Sequence, residues 1–188
     1  MNNSTNLQKL VISAFLFALG IVLPFVTGQI PNIGSALLPM HLPVLICGLV
    51  CGPFYGVIVG FTLPIFRSLI FGMPPLFPVA IAMSFELATY GLVTGYLYYI
   101  SKYKCVLAVY KALIPAMVIG RVVWGIAMFV LLGINGKAFT FNTFLAGAFA
   151  NAVIGIILQI ILIPTIMLAL GRAKMIPFGE KNKDLANG

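Results

Sequence analysis

Long apolar runs alternate with short polar or proline-rich breaks along the whole chain. The pattern predicts six helices, at about 7–26, 37–51, 54–71, 79–100, 106–134 and 141–170. The second is short; the others approach or exceed the roughly 20 apolar residues that cross a bilayer. The breaks differ in character. Residues 27–36 read TGQIPNIGSA, polar and uncharged. Gly52 and Pro53 form a tight turn, and 72–78 is stiffened by prolines. Residues 101–105 make a basic turn, and 135–140 a short one. The tail, 171–188, is polar and is expected to fray. No internal repeat or low-complexity segment interrupts this order. One integral membrane domain over 1–188 accounts for the chain.

Composition narrows the class. With 62% hydrophobic and only 7% charged residues, the chain does not read as a soluble domain. The fold class expected is an all-α membrane protein with six transmembrane helices. Basic residues set its orientation. With six spans, one side holds Lys9, Lys102, Lys104, Lys111, Arg172, Lys174, Lys181 and Lys183, and the other only Lys137. Both termini are therefore expected to be cytoplasmic, in a multi-pass protein of a bacterial plasma membrane. The segments 27–36 and 72–78 then face outward. The net charge of +8 is a loop-and-terminus charge and not a nucleic-acid signal. The first apolar run lacks a small-x-small cleavage site, so it reads as a retained helix.

Against this background three charges stand out within the apolar runs: Arg67, Glu86 and Arg121. A charge at bilayer depth costs roughly 2.5–3.5 kcal/mol on insertion scales, so such residues pair, face a wet cavity or hold a ligand. Together they sum to +1, which suits a ligand with one negative charge. At 1.5 Å per residue, Arg67 lies roughly 7–8 Å and Glu86 roughly 10 Å below the outer surface. Arg121 and Asn151 come to about 15 Å, near the midplane. His41 falls at the outer end of the second helix. Gln159 is the main polar residue expected in the inner half. The picture is a cup open outward and closed below.

Each residue also has a plainer reading. Arg67 and Glu86 fit a structural ion pair between neighbouring helices. Arg121 has no second membrane carboxylate, and its planar guanidinium suits a ligand carboxylate better than lysine would. Trp124, three residues on, either walls a pocket or anchors at the interface. Asn151 either bridges helices or faces a ligand. Tyr90 is packing or a pocket hydroxyl, and His41 a satisfied structural group or a ligand contact. Cys47 and Cys51 read as packing residues; no metal site is expected. Ala14-x-x-x-Ala18, Gly56-x-x-x-Gly60 and Gly91-x-x-x-Gly95 permit close helix approach.

Absent chemistry limits the function. No GxxxxGK[ST] loop is present, so ATP binding through a P-loop is excluded. One histidine and one membrane acid leave an intramembrane protease without its machinery. A membrane binding site without an energy source points to a subunit that borrows energy from partners.

These features resemble the substrate-binding S components of energy-coupling factor (ECF) vitamin transporters. The likeness covers the topology throughout and Ala14-x-x-x-Ala18 on the first helix. The stretch from Leu38 to Gly95, LPMHLPVLICGLVCGPFYG…RSLIFGMPPLFPVAIAMSFELATYGLVTG, is similar to the pantothenate branch. The resemblance implies a non-enzymatic transport subunit that binds a vitamin from outside and carries no cofactor. It implies docking through Ala14 and Ala18 onto a transmembrane T component, powered by two cytoplasmic ATPases that use ATP. The loop after the first helix, with Gln29, Asn32 and Ser35, would be the lid.

Pocket charge favours pantothenate, a monoanion whose carboxylate would meet Arg121 or Arg67 while the other arginine pairs with Glu86. Tyr90, His41, Trp124 and Asn151 would complete the site. Nicotinate, folate, riboflavin and hydroxymethylpyrimidine are alternative substrates by the same mechanism. A solitary carrier coupled to protons through Glu86 and a noncatalytic assembly factor are the competing classes.

Overall fold

The computed structural model describes residues 3–26, 38–134, 136, 140 and 153–180. They form six α-helices: α1 Asn3–Val26, α2 His41–Cys51, α3 Pro53–Phe71, α4 Ile81–Tyr99, α5 Val106–Ile134 and α6 Val153–Arg172. A wide turn, Leu76–Ala80, leads into α4, with Ala80 N–H donating to the Pro75 carbonyl five residues back at 2.9 Å. With that turn included, five helical segments are long and apolar enough to cross a bilayer. The sixth, α2, rises only about 16 Å by its 11 residues.

Most boundaries agree with the apolar pattern; the start expected at 141 for the sixth helix lies outside the described residues. Helix α2 starts at His41 rather than at 37. Pro39 disfavours a helical conformation at the residue before it, and Leu38 takes φ 49°. The Leu38 carbonyl instead accepts the His41 N–H at 3.1 Å. Between α2 and α3 the chain reverses through Gly52 at φ 96°, with Pro53 opening α3 where its missing N–H costs nothing.

Side-chain registers fix the helix directions. α1 and α3 run parallel: Tyr55 pairs with Asn6, Phe66 with Phe17 and Phe71 with Phe25. α3 and α4 run antiparallel and almost backbone to backbone. A Cβ at Gly56 would lie 2.7 Å from the Gly91 carbonyl, and one at Gly60 would strike the Leu87 carbonyl. Gly48 of α2 abuts Thr94 and Gly91, so α2 runs along α4. The Ser101–Cys105 turn returns the chain into α5, antiparallel to α4. The small-residue spacing of the sequence is thus used for internal packing of α2, α3 and α4.

The tail departs from expectation. Residues 173–180 do not fray in this structure; they turn back beneath α6. Phe178 packs against Gly171, and Ile176 and Phe178 join the apolar core. Gly179 and Glu180 exchange backbone hydrogen bonds with Lys104 in the α4–α5 turn. Lys104 is itself buried, its Nζ donating to the Tyr98 carbonyl at 2.7 Å and lying 4.4 Å from the Tyr98 ring centre. The start of α1, the α2–α3 turn, the α4–α5 turn and the end of α6 therefore share one end of the bundle.

The core is continuous through Val44, Leu45, Cys47, Leu63, Leu87, Val109, Leu113, Ile163 and Met167. The outward surface is equally apolar, with Phe15, Phe54, Leu69, Ile126 and Ile161 exposed. A bundle apolar inside and out is a multi-pass membrane protein.

Candidate functional site

Four polar side chains converge where α2, α4 and α5 meet. Glu86 projects from α4 one turn before Tyr90, and both are almost fully buried. Arg121 reaches them from α5 and His41 from the first residue of α2, again buried. One oxygen organises the group. Glu86 Oε1 accepts the Tyr90 hydroxyl at 3.0 Å and faces Arg121 Nη1 at 3.0 Å. His41 Nε2 stands 3.6 Å from the same atom. The Tyr90 and His41 rings lie 5.4 Å apart, tilted by 58°.

One of the two pairings expected for Glu86 forms: Arg121 holds it, and Arg67 does not. The reason is register. Gly56 lies opposite Gly91 and Gly60 opposite Leu87, so Arg67 lies opposite residue 80. Glu86 is six residues further along α4, about 9 Å along the axis. Arg67 instead ties α3 to α1. Its Nη1 donates to the Ile21 carbonyl at 2.6 Å, just below Pro24, whose ring interrupts the helical ladder. Its guanidinium carbon lies 4.8 Å and 5.6 Å from the ring centres of Phe25 and Phe71. Such cation–π contacts contribute about 0.5–2 kcal/mol each.

The cluster is incompletely satisfied. Nη1 of Arg121 engages Glu86, whereas Nε and Nη2 have no hydrogen-bond partner among the described residues. Both ring nitrogens of His41 are likewise without one. Buried polar groups are ordinarily paired, because an orphaned donor costs about 1–3 kcal/mol and more when charged. The Nε–Nη2 edge is the planar fork that binds carboxylates through two parallel hydrogen bonds.

Other expected residues fall variously. Trp124 is half-buried on α5, one turn beyond Arg121. Ala14 and Ala18 are exposed on α1. Asn151 and the lid residues Gln29, Asn32 and Ser35 lie outside the described residues. Gln159 was expected in the inner half. It is buried on α6, and its Nε2 lies 3.5 Å from the Leu38 carbonyl, three residues before His41. The sequence signal for it was plain, a lone amide in IILQIILIP, but its neighbour was not, because helix α6 had no register partner in sequence. No group of three His, Cys, Asp or Glu side chains that could hold a metal occurs among the described residues. Cys47 and Cys51 are free thiols in the core.

The comparisons place the bundle. Residues 8–170 match the family model described as ECF transporter, substrate-specific component. No curated protein and no solved structure matches the chain. A match over most of the length, on an all-helical body apolar inside and out, makes the assignment: the chain belongs to the substrate-specific components of ECF transporters, and is a membrane transport subunit rather than an enzyme.

Proposed function

We propose that this subunit captures a small carboxylate, pantothenate first among them, on the free edge of Arg121. The observation that carries the reading is the buried guanidinium whose Nε and Nη2 have no hydrogen-bond partner among the described residues, with His41 buried beside it. Glu86 holds Nη1 and so orients the fork. His41 and Tyr90 would meet the hydroxyl and amide groups of the ligand. This refines the sequence expectation, since one arginine both pairs with Glu86 and receives the ligand. Arg67 is then a structural clamp.

The remaining elements follow the family. Lys9, Lys102, Lys111, Arg172 and Lys174 are exposed at the end of the bundle that gathers both described chain ends. That charge supports a cytoplasmic placement of this end. The alternating helix directions support six passes, with α2 counted as a short second one. Exposed Ala14 and Ala18 support docking of a T component on α1, with ATP hydrolysed by two separate ATPase subunits.

A second reading is a neutral polar vitamin, such as riboflavin or hydroxymethylpyrimidine. It is favoured by the fact that Glu86 already balances the Arg121 charge.

Equilibrium binding to the purified protein separates the two. Labelled pantothenate should bind saturably. Arg121→Lys keeps the charge without the fork and should weaken binding roughly 10–100-fold, from the ~1.5–3 kcal/mol of a charge-assisted hydrogen bond. Undiminished affinity in Arg121→Ala would overturn the carboxylate assignment. Saturable binding of a neutral vitamin in place of pantothenate would establish the second reading.

A further inference from the structure

We infer that Gly120 is a positioning residue for ligand recognition: its missing Cβ seats Tyr90, and Tyr90 in turn orients the Glu86–Arg121 pair. The inference rests on the reading of Arg121 as the ligand-holding residue.

Gly120 is buried on α5 immediately before Arg121. A Cβ built there would run into Cε1 and Cδ1 of the Tyr90 ring, with Cζ at 3.1 Å. The ring has little room to retreat. It is 1% exposed, and His41 stands 5.4 Å away, ring centre to ring centre. The Tyr90 hydroxyl donates to the same Glu86 oxygen that faces Arg121 Nη1. A chain of contacts thus runs from Gly120 through the Tyr90 ring and the carboxylate to the guanidinium.

The other packed glycines differ in kind. At Gly56, Gly60 and Gly91 an added Cβ would meet the backbone of the neighbouring helix, so they set helix separation. At Gly20, Gly48 and Gly171 it would meet Leu63, Thr94 with Gly91, and Phe178. Of Gly20, Gly48, Gly56, Gly60, Gly91, Gly95, Gly120 and Gly171, Gly120 alone would press on a side chain of the polar cluster.

The chemical consequence is specific. With alanine at 120 the Tyr90 ring must shift, and its hydroxyl leaves Glu86. The carboxylate, no longer shared, can turn to take two donors of Arg121 instead of one. That bidentate pairing occupies the edge a ligand carboxylate needs. Gly120→Ala should therefore weaken anion binding by closing the fork.

A double-mutant cycle on purified full-length protein tests this, with labelled pantothenate as the probe. Gly120→Ala should weaken binding roughly tenfold, within the span of coupling seen for contacting residues. In a Tyr90→Ala background the added methyl has space, and the same change should alter affinity less than about twofold. Tyr90→Phe keeps the ring and removes the hydroxyl; it introduces no clash and should also weaken binding. Wild-type affinity in Gly120→Ala, an equal penalty in both backgrounds, or wild-type affinity in Tyr90→Phe would each overturn the inference. Arg121→Ala separates the two levels. Its silence rejects the reading of Arg121, whereas loss of binding there with a silent Gly120→Ala rejects only the role of Gly120.

Discussion

Glu86→Gln is the substitution that probes the buried cluster most directly. Glutamine keeps the shape and an acceptor for the Tyr90 hydroxyl but removes the charge facing Arg121. At 3.0 Å the pair attracts by about 5.5 kcal/mol if an effective dielectric near 20 applies. Desolvation of two ions offsets much of this when the pair is intact. The offset disappears when only one partner is removed, because Arg121 then keeps its charge in a site where it is 5% exposed. Truncating one member of a buried pair costs about 3–5 kcal/mol. Retention of the acceptor places Glu86→Gln at the low end, about 3 kcal/mol. Reversible unfolding in mixed detergent micelles, followed by helical circular dichroism, measures it. The companion Arg121→Met should be destabilising too, while the double variant should recover about 2 kcal/mol relative to the sum of the singles. A coupling within about 0.5 kcal/mol of zero would mean that the two charges do not feel each other, and the cluster would lose its organising oxygen.

Arg67→Lys keeps a charge but loses the planar stack between Phe25 and Phe71, and should cost about 1–2 kcal/mol of stability with pantothenate affinity unchanged. Loss of affinity at constant stability would return Arg67 to the ligand site. Gly56→Ala should destabilise by about 1–3 kcal/mol in the same unfolding assay, because its Cβ would lie 2.7 Å from a backbone carbonyl that cannot swing aside. Gly133→Ala is the control: nothing lies within 4 Å of its Cβ position, and stability should hold or rise slightly. Equal losses at both positions would argue against close α3–α4 packing.

Helix content was legible because the bilayer demands long apolar runs, and within the described residues each of those runs is a helix. Where the reading failed, the missing quantity was register. Depth counted from loop ends set Arg67 and Glu86 nearly level and invited a pairing between them. The two Gly-x-x-x-Gly motifs held the correction: matched antiparallel, 56 with 91, they carry Arg67 past Glu86 toward residue 80. The tail was misread for a different reason. Its polar composition hid Ile176 and Phe178, whose burial is decided by the turn at Lys104 and not by any local period. Pairing of Arg121 with Glu86 stood in the sequence as one of two alternatives, and no local signal chose it, since 35 residues and one helix reversal separate the two.

The placement of the cluster bears on how the proposed binding site and the proposed docking face can share so small a bundle. His41, Glu86, Tyr90 and Arg121 stand on α2, α4 and α5. Glycines lock α4 to its neighbours on both sides: Gly48 of α2 and Gly56 and Gly60 of α3 meet its backbone directly. Backbone contacts of this kind leave no slack, so the α4 backbone that carries Glu86 is held in a frame that side-chain rearrangement cannot easily move. Helix α1 is attached differently. Its contacts with α3 run through side chains: the flexible end of Leu63 against Gly20, the Arg67 bond to Ile21, and the edge-on phenylalanine pairs. It contributes no group to the cluster. A partner of the kind proposed, seated on Ala14 and Ala18, would therefore tilt or shift α1 against α3 while the charges on α4 and α5 keep their spacing. Arg67 is a buried charge that grips α1, and Arg67→Lys in an assembled transporter should alter transport more than it alters binding by the isolated subunit.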